Sequence, residues 1–179
     1  MKNFVLYIFL ILFTSKAFAF DFSCSEITGL LSVVPDTECE VVHSPLRDYA
    51  FPTSRFVAET GVPNEEACFT GNLQFEADGK NYIGHAMIGQ TINSFPAIPA
   101  TPQMFSASDI VKIRNEHGKR KGSLFLKHFA LIDFSVFQFD EEVAIVGGTG
   151  RYRGARGQLQ ISGNLFTGAE VSGSVCTIF

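Results

Sequence analysis

The chain has 179 residues, a formal net charge of −4 and 46% hydrophobic residues, among them 19 phenylalanines. This length suits one domain with its own core. The acidic balance argues against nucleic acid as a partner, which needs clustered Lys and Arg to displace counterions.

The first nineteen residues have the layout of an export signal. Lys2 sits in a short basic start, an apolar run extends from Phe4 to Phe13, and Ala17-Phe18-Ala19 places small residues at both positions that determine cleavage. Cleavage is expected after Ala19. The run is about ten residues, short of the roughly 20 that a membrane-spanning helix needs, and no later stretch reads as a span. The expected product is extracytoplasmic, periplasmic or secreted, and more acidic once Lys2 and Lys16 are gone. Asp21-Phe22-Ser23-Cys24 lacks the Leu and the small residue that precede an acylated lipoprotein cysteine. The product is therefore read as free of a lipid anchor.

Cys24, Cys39, Cys68 and Cys176 form an even set, which in an exported chain reads as two disulfides. Three pairings are open. The favoured one joins Cys24 to Cys39 and Cys68 to Cys176, closing loops of about 15 and about 100 residues. No Cys-x-x-Cys spacing supports a metal site.

Residues 20–66 carry Pro45, Pro52 and Pro63 and few alternating runs. They read as an N-terminal extension pinned by the first disulfide, with a short helix over 25–34 capped by Ser25. Residues 67–179 read as an all-β domain, with β-branched and aromatic residues between closely spaced turn signals. Strands are expected at 67–77, 81–92, 106–115, 122–129, 131–139, 142–146, 157–165 and 170–178. Asp78-Gly79 marks a tight hairpin, since both positions tolerate positive φ. Residues 116–121 form a second hairpin tip, whose Lys119, Arg120 and Lys121 read as solvated. The segment 95–105 holds three prolines, which cannot donate to a ladder. It reads as a stiff connection, or as a roof over a barrel mouth through Phe95, Ile98, Met104 and Phe105. Eight antiparallel strands are enough to close a barrel; a two-sheet sandwich is the alternative.

The segment Ile145-Val-Gly-Gly-Thr-Gly-Arg-Tyr-Arg-Gly-Ala-Arg-Gly157 approaches the glycine spacing of a dinucleotide-binding loop, with one residue too many. The residues after Gly157 alternate like a strand instead of opening a helix, and too little chain remains for such a fold. The same segment resembles the Gly-Gly-Thr-Gly-x-Phe/Tyr-x-x-Ala-x-Gly signature of the dirigent proteins and the related allene oxide cyclases. Gly118-Lys-Arg-Lys-Gly-Ser-Leu124 is similar to the hairpin that precedes that signature. The resemblance covers residues 67–178 and implies an eight-stranded antiparallel barrel with a central cavity for a small hydrophobic molecule. It also implies a homo-oligomer, a trimer or a dimer. In this reading Gly147, Gly148 and Gly150 permit a tight reversal with positive φ, Gly154 and Gly157 permit close backbone approach, and Tyr152 packs over the barrel end. Arg151, Arg153 and Arg156 read as solvated, with an anion at that rim as the alternative.

Dirigent proteins orient coupling partners and allene oxide cyclases close a ring, largely by orientation and desolvation. The polar pocket residues of either group find no counterpart here. Hydrolase elbows, zinc-protease and calcium motifs are missing, and His43, His85, His117 and His128 lack ligand spacing, so neither metal nor cofactor is expected. His128 shares strand parity with Leu124 and Leu126, and Asp109 with Val111 and Ile113, so both point inward. A buried Asp109 needs a donor, which His128 or Tyr82 would supply. These three make up the expected polar spot in an apolar cavity. Three functions are open: a barrel that binds a small hydrophobic ligand, an isomerase or cyclase using Asp109 or His128 in proton transfer, or an interaction module with a filled barrel.

Overall fold

The computed structural model describes residues 22–35, 66–92, 102–133, 135–164 and 167–178. They form eight antiparallel strands: β1 (Phe22–Pro35), β2 (Glu66–Ala77), β3 (Lys80–Ile92), β4 (Gln103–Asn115), β5 (Arg120–Asp133), β6 (Gln138–Gly150), β7 (Arg156–Asn164) and β8 (Gly168–Ile178). Each strand pairs with its sequence neighbour, and β1 pairs with β8, so the sheet closes into a barrel. Closure leaves no unpaired edge among the eight.

β1 is the first of three corrections to the sequence reading. The helix expected over 25–34 is a strand, and the barrel begins inside the segment read as an extension. Ile27, Leu30, Leu31 and Val34 fall at helical spacing, but the period of two decides. Ile27 and Val33 are buried, while Leu30 and Val34 face outward. Ser25, expected as a helix cap, instead donates from Oγ to Asp78 Oδ2 at 2.8 Å, tying β1 to the β2–β3 turn.

The second correction concerns the disulfide. Cys24 and Cys176 are direct cross-strand partners at the β1–β8 seam and are bonded to each other. The favoured pairings Cys24–Cys39 and Cys68–Cys176 are thus both excluded. Cys39 lies outside the described residues.

The third concerns the strand boundaries. The strands expected at 122–129, 131–139 and 142–146 are two continuous strands, β5 and β6, separated by a turn after Asp133. Dividing this pair into three offsets the omission of β1, so the expected total of eight stands on different strands.

Other turns obey the local chemistry. Asp78 and Gly79 both have positive φ, 52° and 68°, as a two-residue hairpin requires. At the β4–β5 turn, Asn115 Oδ1 accepts from the Lys119 amide at 2.8 Å. The segment expected as a proline-rich loop ends earlier than its sequence suggests: Met104 and Phe105 belong to β4, and Phe105 is buried. Phe95 and Ile98 lie outside the described residues.

The main core is the inside of the barrel, and Ile110 and Phe125 form a second, small buried cluster at outward-facing positions of β4 and β5. Odd positions of β4 (Phe105, Val111, Ile113), even positions of β5 (Leu124, Leu126, Ile132) and odd positions of β6 (Phe139, Val143, Ile145) pack against Phe75, Leu159, Ile161 and Val171 from the other strands. In β6 this parity ends at a bulge. Phe125 faces Gly147 while Leu126 faces Ile145, which leaves Val146 as the extra residue. Beyond it Gly148 is paired with the inward-facing Leu124. A Cβ there would lie 2.4 Å from the Tyr152 carbonyl oxygen and 2.5 Å from that of Ser123.

Candidate functional site

Inside this apolar lining lie three charged side chains on three consecutive strands: Asp109 of β4, His128 of β5 and Glu141 of β6, all buried. Their strands place them diagonally. The residue directly opposite His128 on β4 is Ala107, and the residue directly opposite Glu141 on β5 is Ala130. These small partners leave space into which the longer polar side chains reach. His128 therefore meets one carboxyl on each side. Its Nε2 lies 2.7 Å from Asp109 Oδ2, and its Nδ1 hydrogen-bonds Glu141 Oε1. The Asp109 contact is an ion-pair approach without the alignment of a directed hydrogen bond, and the other Asp109 oxygen, Oδ1, is buried without a partner among the described residues.

The electrostatics come from this geometry. Burial pulls the imidazole toward its neutral form, but the charges of Asp109 and Glu141, each in close contact with one ring nitrogen, together outweigh it, holding His128 well above its usual 6.5. With a carboxyl at each ring nitrogen, the doubly protonated imidazolium matches its surroundings. Burial pushes Asp109 above the usual carboxylate value; His128 opposes that shift and Glu141 reinforces it. Protonating Asp109 removes one of the two negative charges facing the imidazolium. Outside the barrel wall, Lys127 Nζ donates to Ser108 Oγ at 2.6 Å.

Two of the three expected polar residues, Asp109 and His128, are brought together. Tyr82 is not with them. It stacks on Phe75 with ring centroids 5.2 Å apart and accepts from Arg151 Nη1 at 3.2 Å, near the end of the barrel that holds the β6–β7 turn. Glu141 takes the place assigned to Tyr82. Its signal in the sequence is parity with Phe139, Val143 and Ile145, which a strand broken between 139 and 142 conceals.

The glycine segment divides in two. Gly150 and Gly154 take positive φ, 61° and 72°, and bracket the turn. Gly147 and Gly148 do not have positive φ; they belong to β6, where Gly148 serves close approach. Gly157 is the second residue of β7, with φ 154°, and a Cβ there would lie 2.1 Å from the Ser174 carbonyl oxygen. Tyr152 is buried over the barrel end as expected, and burial holds its hydroxyl at about 12.

At the opposite end, a cleft of about 960 Å³ is lined by Leu31, Phe139 and Ala169 together with Gln74, Asp133 and Glu170. Phe139 is the next inward-facing residue of β6 beyond Glu141; on the other two strands Ala130 and Ile132 lie between His128 and this end, and Ala107 and Phe105 between it and Asp109. Comparison of the chain with family models gives no match, and comparison with curated proteins gives none.

Proposed function

We propose that the protein is an exported, disulfide-stapled barrel that binds one small, mainly apolar molecule and fixes its polar group against Asp109, His128 and Glu141. The observation that carries this reading is the buried Asp109 Oδ1. An unpartnered carboxyl oxygen in an apolar interior is costly, and a hydroxyl or amine of a bound molecule satisfies it. The cleft bounded by Leu31, Phe139 and Ala169 is the proposed entrance, which a ligand reaches by displacing the apolar side chains beneath it. The likeness to dirigent proteins and allene oxide cyclases belongs to the same proposal and is supported by the eight-stranded closure and the seating of Tyr152 over the glycine turn. Export is supported by the disulfide, which persists in oxidising compartments.

Native mass spectrometry of the oxidised protein from its own host, before and after denaturation, tests the reading. A stoichiometric small molecule is expected, retained by the unaltered chain and lost from Asp109→Asn and His128→Asn. A bare mass, with no small molecule raising the melting temperature, would leave the filled interaction module as the function.

A second reading, an isomerase or cyclase of the same fold, is favoured by the proton held on His128 between two carboxyl groups, an arrangement suited to general acid–base transfer. Recovered ligand incubated with fresh protein would then convert to an isomer of equal mass, and His128→Asn would abolish the conversion.

A further inference from the structure

Charge is distributed along the barrel axis. Lys119, Arg120 and Lys121 on the β4–β5 turn and Arg151, Arg153 and Arg156 at the β6–β7 turn lie together at one end, six of the fourteen Lys and Arg in a chain of net charge −4. The two turns are joined directly, the Arg151 amide donating to the Lys121 carbonyl at 2.9 Å. Arg156 is held by the carbonyls of Val146 and Ala155, and Arg151 by Tyr82. Lys119, Arg120, Lys121 and Arg153 form no ion pair with a carboxylate among the described residues. The carboxylates toward this end, Glu26, Glu76, Asp78 and Glu116, are fewer than its basic side chains, and Glu116 lies against His117 and Asp78 accepts from Ser25. Asp133, Asp140, Glu142 and Glu170 lie toward the other end.

The same basic end exposes apolar side chains. Phe22 and Ile178 are cross-strand partners beside the Cys24–Cys176 bond, and they are 49% and 38% exposed. Ile178 lies against the basic turn, its Cδ1 2.9 Å from where a Cβ on Gly154 would stand. A soluble polyanion is recognised by charge alone. Basic side chains surrounding exposed apolar ones match the boundary of a bilayer, where headgroups meet acyl chains.

We infer that this end of the barrel docks peripherally on an anionic lipid bilayer, with the basic turns on the headgroups and Phe22 and Ile178 dipping below them. The acidic opposite end and its mouth then face away from the membrane. This inference stands independently of the ligand proposed for the interior.

The test is flotation of the oxidised, signal-free protein with vesicles of phosphatidylcholine alone or of an equal mixture with phosphatidylglycerol. Binding is expected only to the mixed vesicles and is lost on raising NaCl to about 500 mM, where exposed charges are screened within a few ångströms. The triple variant Lys119→Glu, Arg120→Glu, Arg153→Glu should bind at least about tenfold more weakly, and Phe22→Ser several-fold more weakly. Asp140→Lys at the other end should leave binding unchanged. All substituted positions are exposed, and an unshifted melting curve confirms folding. Failure to float with the mixed vesicles, or equal binding by the triple variant, overturns the inference. Capture by heparin with no loss in Phe22→Ser vesicle binding overturns it too, in favour of a soluble polyanion.

Discussion

His128 Nε2 stands 2.7 Å from Asp109 Oδ2 while the second oxygen of that carboxyl has no partner among the described residues. With Glu141 on the far side of the ring, one cation holds two carboxyl groups inside a barrel whose other core side chains are apolar. Removing one partner of such a set leaves the others buried and uncompensated, at a cost of about 3–5 kcal/mol. His128→Asn is therefore expected to lower stability by that amount, a fall of roughly 2–4 °C in melting temperature per kcal/mol. Thermal unfolding checks it. A change below about 1 kcal/mol would mean that the three groups do not depend on one another.

Stability should decrease as pH rises. His128 is held well above 6.5 and Asp109 above 3.8, so at both sites the folded state binds its proton more tightly than the unfolded state. The contribution of His128 is complete below 6.5 and is lost as pH climbs from there through its folded value. Asp109 has the same sign, starting from 3.8. Urea unfolding midpoints measured between pH 6.5 and about pH 9 should fall steadily. His128→Asn should flatten that fall, and an equally steep profile in the variant would assign the dependence to other groups.

The Cys24–Cys176 bond joins residues 152 apart in sequence. In the chain-entropy model a loop of this size is worth about 5 kcal/mol, so Cys24→Ser with Cys176→Ser should unfold at markedly lower denaturant. Peptide mapping of the oxidised protein should recover Cys24 linked to Cys176. It should also recover Cys39 linked to Cys68, the cysteines that remain. A Cys68–Cys176 peptide would contradict the barrel seam itself.

Two glycines should respond differently to the same substitution. Gly148→Ala places a Cβ against two carbonyl oxygens, and backbone cannot move aside as a flexible side chain can; a loss of about 3 kcal/mol is expected. Gly118 has open space around it and φ +77°, so Gly118→Ala costs only the left-handed backbone term, about 1 kcal/mol. Equilibrium unfolding of the two variants side by side checks the ranking. Equal losses would mean that close approach at Gly148 is relieved by movement of the Tyr152 turn.

The sequence alone determined what depends on neighbouring residues. Alternation marks a strand whatever it pairs with, so the all-β class, the Asp78-Gly79 turn and the inward parity of Asp109 and His128 were all legible. Tertiary structure decided what depends on closure and register. β1 is a strand because β2 and β8 pair with both its edges, a contribution absent from its own residues, whose apolar positions suit a helix as well. Cys24 finds Cys176 because closure sets the first strand against the last. Glu141 joins His128 because β6 runs unbroken past 139–142, and Gly148 turns toward Tyr152 because one extra residue at Val146 reverses the parity beyond it. Local alternation records which face a side chain takes within a strand, and only the pairing of distant strands determines what that face meets.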